Sequence, residues 1–248
     1  MAYFLRILII IINITNVVQF PVYASNTNKD YVVLIHGMAQ SKRSMSKIAT
    51  YLESKNYTPV VIDYPSTKHS IEEIVQNFVI KQIENLDRGK KIHIVGYSLG
   101  GIIARYVVDN YKIESLGNII LIGSPNRGSE MAQFLENNIL IHKIFGPALK
   151  DLRPSSDFWS KIKGNVAENH VGVIAGDFSM NPLSSLLVFE GSSDGTVSVE
   201  SAKVDGMKDF LVLHHSHYFL MRNDEILPYI ENFLQYGMFQ VKSNEQES

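Results

Sequence analysis

The stretch Ile92-His93-Ile94-Val95-Gly96-Tyr97-Ser98-Leu99-Gly100-Gly101-Ile102-Ile103-Ala104-Arg105-Tyr106-Val107 decides how this chain is to be read. Its opening residues are rich in β-branched side chains and read as a buried strand. From Leu99 onward the pattern suits a helix. Between the two stands Gly96-Tyr97-Ser98-Leu99-Gly100. A G-x-S-x-G pattern alone is modest evidence, but a strand before it and a helix after it supply the context its chemistry needs. A strand-to-helix turn this tight would drive flanking side chains together, hence glycine on both sides. Ser98 is thereby raised above the sheet edge, with a helix N-terminus beneath any negative charge that develops there. The plainer alternative is a glycine-rich turn carrying an idle serine.

Working outward, short apolar runs alternate with helix-period segments. Tyr31 to Ile35 is a continuous apolar run ending at His36-Gly37, the pattern of a strand buried on both faces. Ser44 to Lys55 suits a helix, and Thr58 to Ile62 a strand. Ser70 opens an amphipathic helix through Ile71, Ile74, Val75, Phe78, Val79, Ile83 and Leu86, with Ser70 and Glu73 forming a capping-box pair. Strands are expected at Lys91 to Val95, Asn118 to Ile122, Val171 to Ala175 and Phe210 to Leu213. A helix is expected over Leu99 to Asn110, and a last helical segment from about His217 to Tyr236 that Pro228 would kink. Residues 125–165 are less regular and rich in apolar side chains, as in a small helical cap, and the polar tail 243–248 suggests disorder. Such alternation predicts one α/β domain with a mainly parallel central sheet flanked by helices.

Composition excludes several functions. The chain has 248 residues, 45% hydrophobic and 19% charged, with a formal net charge of -2 and no cysteine. No disulfide, thiolate metal site or iron–sulfur cluster is therefore possible. No basic stripe of the kind nucleic acid demands is evident. Arg6, the apolar run Ile7 to Ile12, and Val22-Tyr23-Ala24 have the layout of a secretory signal cleaved after Ala24, leaving residues 25–248 as one domain. This implies export to the periplasm or the medium. The alternative is a retained anchor over residues 7–23, which polar residues interrupt within the length a span requires.

Attack by Ser98 on a carbonyl creates an oxyanion that needs two preorganised donors. The backbone N–H groups of Leu99 and Met38 are the candidates, Gly37 letting the chain pass close to the substrate. His36 precedes Ser98, the wrong side for the chain order nucleophile, acid, base, and is read as structural. The acid lies in a loop after a late strand, where Asp177 and Asp194 compete. Three histidines crowd behind the last strand as candidate bases: His214, His215 and His217. No histidine pair has a carboxylate or third ligand at metal-binding spacing, so neither a metal nor another cofactor is expected.

From about Tyr31 to Phe233 the chain resembles the α/β-hydrolase superfamily, in particular its bacterial lipase/esterase-like members. The resemblance rests on Val33 to Met38, Ile62-Asp63-Tyr64-Pro65-Ser66, Gly96 to Gly101, Gly123-Ser124-Pro125-Asn126-Arg127-Gly128-Ser129 and Asp194-Gly195-Thr196-Val197. In such lipases His often stands in place of Asn126. The resemblance implies an α/β-hydrolase fold and hydrolysis of lipid or other apolar acyl esters through an acyl-enzyme, with transient contact at a lipid interface. It selects Asp194, in the Asp-Gly-x-Val setting, as the acid. It also selects His217, directly ahead of an aromatic-rich helix start, as the base. A lipid acyltransferase or an amidase would use the same triad. A non-catalytic interaction protein of this fold would usually have lost a triad member.

Overall fold

The computed structural model describes residues 29–162, 164 and 170–240; the expected signal segment (1–24) and tail (243–248) lie outside the described residues. In chain order the elements are β1 (Tyr31–Ile35), α1 (Ser46–Ser54), β2 (Thr58–Ile62), α2 (Ile71–Ile74), α3 (Ile80–Glu84), β3 (Ile92–Tyr97), α4 (Leu99–Asn110) and β4 (Leu116–Ile122). The cap follows as α5 (Glu130–Phe134), α6 (Ile139–Phe145), α7 (Pro147–Asp151) and a 3-10 turn at Asp157–Lys161. The chain then returns as β5 (Val171–Gly176), α8 (Pro182–Val188), α9 (Val199–Ala202), β6 (Asp209–Leu213), α10 (His217–Leu220) and α11 (Ile226–Tyr236).

Six strands form one sheet in the order β2-β1-β3-β4-β5-β6, and every pairing is parallel. Alternate side chains feed opposite faces. Val33, Ile35, Ile94, Ile119 and Leu121 join the residues of α2, α3 and α4 in one core. Val32, Leu34, Val95, Ile120 and Ile122 join Ile48 and Leu52 of α1 and Ile230 and Phe233 of α11 in the other. Both faces are covered, which is why the strands read as predominantly apolar runs rather than as alternating ones. Among the described residues, no helix is long and apolar enough to cross a membrane.

Two local departures from the sequence expectation have physical causes. The helix after Ser70 starts as expected, with Ser70 and Glu73 completing the capping box. It then widens into a π-helical stretch at Val75–Val79 before continuing as α3. The extra residue in that turn rotates the buried face, so Val79 and Ile80 are both buried while Phe78 is only half-buried. The expected single helix from His217 to Tyr236 is two helices, α10 and α11. Pro228 causes no kink, because it lies in the first turn of α11, where a missing N–H costs no intrahelical bond.

The strand order reverses direction between β1 and β3: the chain winds outward from β1 to β2, then crosses to β3 and continues the other way. At such a switch point the loops leaving the two strands diverge and open a crevice. Residues 36–39 leave β1 there and Ser98 leaves β3 there, with Ile35 opposite Gly96 in the register.

Candidate active site

Ser98 occupies the turn between β3 and α4 with φ 54° and ψ -119°, a conformation costly for a residue with a side chain. Its surroundings hold it there by close packing. A Cβ on Gly96 would lie 2.4 Å from the Gly100 carbonyl oxygen, and one on Gly100 would lie 2.1 Å from the Ile35 carbonyl oxygen. Only glycine lets α4 fold back this closely onto β3 and β1. The peptide of Leu99 opens α4, so its N–H has no intrahelical acceptor.

The loop after β1 passes in van der Waals range of the serine: a Cβ on Gly37 would lie 3.2 Å from Ser98 Cβ. Several groups hold this loop. The Ser66 hydroxyl accepts from Ala39 N–H at 2.9 Å, and Gln40 Oε1 accepts from Gly37 N–H at 3.4 Å. His36 is fully buried and stacked on Tyr64 at 4.1 Å, and its Nδ1–H donates to the Gly37 carbonyl at 2.8 Å. The Tyr64 hydroxyl donates to the His36 carbonyl at 2.5 Å. Burial depresses the His36 pKa and raises that of Tyr64, so both stay neutral. His36 thus supports the loop that carries Met38.

Behind β6, His217 Nε2 lies 3.0 Å from Ser98 Oγ, and its Nδ1 lies 2.7 Å from Asp194 Oδ2. The carboxylate can only accept, so Nδ1 carries the proton and Nε2 is left to accept from the serine. Asp194 is buried, and its other oxygen accepts from the N–H groups of Thr196 (2.9 Å) and Val197 (2.7 Å). The imidazole is fixed from both sides of its own peptide. His217 N–H donates to the Asp194 carbonyl at 2.9 Å, and the Tyr97 hydroxyl donates to the His217 carbonyl at 2.7 Å. Burial pushes the Tyr97 phenol well above its ordinary pKa, so it remains a donor.

The rival candidates are engaged elsewhere. Asp177 directly follows β5 and pairs with the exposed His214 at 2.9 Å. His215 bonds Glu225 at 2.8 Å and Asn223 at 2.9 Å. Among the described residues, no group of three or more His, Cys, Asp or Glu is placed to hold a metal ion.

Because Asp194 lies far along the excursion after β5, its position depends on tethers. The segment after β4, Ser124 to Glu130, supplies them to α9, which begins five residues beyond Asp194. The buried Asn126 donates through Nδ2 to the Ala202 carbonyl at 2.7 Å, and Arg127 N–H donates to the Ser201 carbonyl at 3.0 Å. The Ser201 hydroxyl donates to the Gly128 carbonyl, and the Ser198 hydroxyl to Glu130. Arg105, buried in α4, donates to the Asn126 carbonyl at 2.6 Å and locks the segment from beneath. Sequence reasoning missed Asn126, Glu130 and Arg105 as supports. The only signal for them was the polar Asn-Arg pair inside an otherwise small-residue motif.

A pocket of about 220 Å³ opens beside Ser98 and His217. The cap forms much of its wall through Met131, Leu135, Ile141, Phe145, Leu149 and Leu152, and among the described residues no Asp, Glu, Lys or Arg lines it. Gln40, Ser129, Thr196 and the hydroxyl-bearing Tyr97 are its polar members besides Ser98 and His217. On the outer side of the cap, Phe134, Ile139, Leu140 and Ile144 are exposed.

The parallel sheet, the serine at its switch point and the histidine behind the last strand define a serine hydrolase of the α/β-hydrolase fold. A family model for palmitoyl protein thioesterases matches residues 31–174, more than half of the chain. The chain belongs to that family. The match covers the serine turn and the cap but ends before Asp194 and His217. In sequence the chain is also similar to triacylglycerol lipase 2 of Saccharomyces cerevisiae, 30% identical over 96 residues, which are 36% of this chain and 29% of the yeast protein. The chain therefore matches less than a third of that lipase. In structure it is similar to the mature Bacillus licheniformis lipase BlEst2, with a TM-score of 0.66 and 18% identity over 87% of this chain and 96% of the other. A lipase-esterase related protein of Clostridium acetobutylicum gives a TM-score of 0.54 and 15% identity over 84% and 96%. At these identities the two structures speak to the fold alone.

Proposed function

We propose that this protein hydrolyses carboxylic esters of apolar acyl groups, oxygen esters or thioesters, through an acyl-enzyme on Ser98. The observation that carries the reading is the hydrogen-bonded chain Ser98–His217–Asp194 opening onto an uncharged pocket. Ser98 Oγ attacks the acyl carbon while His217 Nε2 takes its proton, and Asp194 orients the imidazole and stabilises its charged form. The negative oxygen is held by the N–H groups of Met38 and Leu99, a contribution of about 3 kcal/mol per donor. His217 then protonates the leaving alcohol or thiol. Water repeats the sequence and releases the acid. Ile139, Leu140 and Ile144 on the outer face of α6 suit a substrate delivered from a lipid surface. Export after cleavage at Ala24 belongs to the same proposal, and N-terminal sequencing of the processed protein tests it.

The deciding experiment is covalent labelling by a fluorophosphonate probe. Wild type is expected to label and to hydrolyse nitrophenyl acyl esters, and Ser98→Ala to do neither. Folded wild type that fails to label would sink the reading.

A further inference from the structure

We infer that Tyr97 is a positioning residue: its hydroxyl clamps the main chain of His217 and so sets the imidazole against Ser98. The inference rests on the proposed acyl-enzyme chemistry at Ser98. It adds to that chemistry a residue that acts on the base from within the serine turn.

The first observation is that the base stands on a weak element. His217 opens α10, which has only four residues, and its N-cap Ser216 makes no side-chain capping bond. In a helix that ran on, the His217 carbonyl would accept from the N–H four residues later. Here that N–H, on Met221, bonds to the Phe219 carbonyl instead. The His217 carbonyl takes its hydrogen bond from the Tyr97 hydroxyl, 2.7 Å away in space and 120 positions earlier in the chain.

The second observation is where this clamp is rooted. Tyr97 ends β3, whose six residues are all buried, and is itself 1% exposed. Its neighbour in sequence is the nucleophile. One planar peptide therefore joins the residue that holds the base to the residue the base must deprotonate. The phenol ring meets both halves of the site. Its centroid is 5.1 Å from that of the His217 ring, and a Cβ on Gly37 would lie 3.0 Å from Tyr97 Cδ1. Hydroxyl and ring thus have separable tasks: the hydroxyl fixes the base, and the ring backs the loop that carries Met38. Phenylalanine keeps the ring in place and removes only the clamp.

The test compares wild type, Tyr97→Phe and Tyr51→Phe. The Tyr51 hydroxyl donates to Glu231 at 2.5 Å, and neither residue lines the pocket, so its removal controls for the loss of a phenol hydrogen bond elsewhere. Displacements near 1 Å in a catalytic group cost up to about 100-fold, so Tyr97→Phe should lower kcat about 10- to 100-fold and fluorophosphonate labelling by the same factor. KM should stay within about two-fold, because the ring still lines the pocket. The far-downfield proton resonance of His217 Nδ1–H, in its charge-assisted bond to Asp194, should broaden; a merely structural phenol would leave it unchanged. Tyr51→Phe should keep wild-type kcat and labelling whatever its melting temperature. Wild-type rates in Tyr97→Phe overturn the clamp, as does a loss of rate with an unaltered resonance or one matched by Tyr51→Phe. Failure of wild type to label overturns instead the hydrolase reading, while the resonances of wild type and Tyr97→Phe still decide the clamp.

Discussion

Truncating Asn126 to alanine should impair the site without touching it. Asn126 is 4% exposed, and its Nδ2 donates to the Ala202 carbonyl at the end of α9. Alanine leaves that carbonyl without its donor in a place water does not reach, a loss of about 1–3 kcal/mol. For a domain of this size, that corresponds to a fall in melting temperature of about 3–9 °C. The more informative effect is on turnover. With one tether gone, α9 and the preceding Asp194 loop gain freedom, and displacements near 1 Å in a catalytic group cost up to about 100-fold. Five further hydrogen bonds join or brace the two segments, the Arg127–Glu200 pair among them, so we expect a kcat about 10-fold lower. KM should stay within about two-fold, because neither Asn126 nor Ala202 lines the pocket beside Ser98. Asn126→His offers an imidazole N–H to the same carbonyl and should recover most of the loss. Steady-state kinetics and thermal unfolding of the two variants measure both effects. A stable Asn126→Ala protein with wild-type kcat would refute the tether, and so would one that is destabilised but turns over normally.

Other expectations follow from the same geometry. Asp194→Asn should lower kcat by about 10⁴, because the imidazole loses its orienting carboxylate. Asp177→Asn, whose partner is the exposed His214, should change kcat less than two-fold within the usual range for surface substitutions; steady-state rates of the pair distinguish the two carboxylates. Acid should destabilise the fold through His93, which is 3% exposed and whose pKa burial lowers to about 4 despite Asp30 at 3.9 Å. The native state holds it neutral while the unfolded chain protonates it near pH 6.5. Its stabilisation is therefore complete above that pH and is lost as pH falls toward 4, by about 3 kcal/mol. Urea midpoints between pH 7 and 4 should show this slope, flattened in His93→Gln. Gly100→Ala should cost about 3 kcal/mol or prevent folding, since its methyl meets backbone rather than a movable side chain; a melting temperature within 2 °C of wild type, a shift of under about 1 kcal/mol, would contradict the packing described.

Much of this protein was legible in the chain because the relevant physics is local. A strand buried on both faces is predominantly apolar, so Tyr31 to Ile35 and, apart from the buried His93, Ile92 to Val95 announce a parallel sheet. The serine turn declares itself because two peptides can approach so closely only where Gly96 and Gly100 lack side chains. The capping of α2 by Ser70 and Glu73 spans three residues and is visible for the same reason. The choice of partners for Ser98 was different. Asp177 and Asp194 both follow β5, and three histidines follow β6 within four residues of one another. Which of them reaches a serine some 80 to 120 positions earlier depends on how the excursion carrying α8 and α9 folds back. Asn126, Arg105 and Glu130 brace α9 within that excursion, through bonds to residues some twenty to seventy-six positions away. Local pattern records what a segment must be, whereas long-range pairing of polar groups exists only once the sheet has brought distant loops to one edge. The composition, most of the elements and the strand–turn–helix that carries Ser98 were therefore legible in sequence alone. Which carboxylate and which imidazole stand in line with Ser98 was decided by tertiary structure.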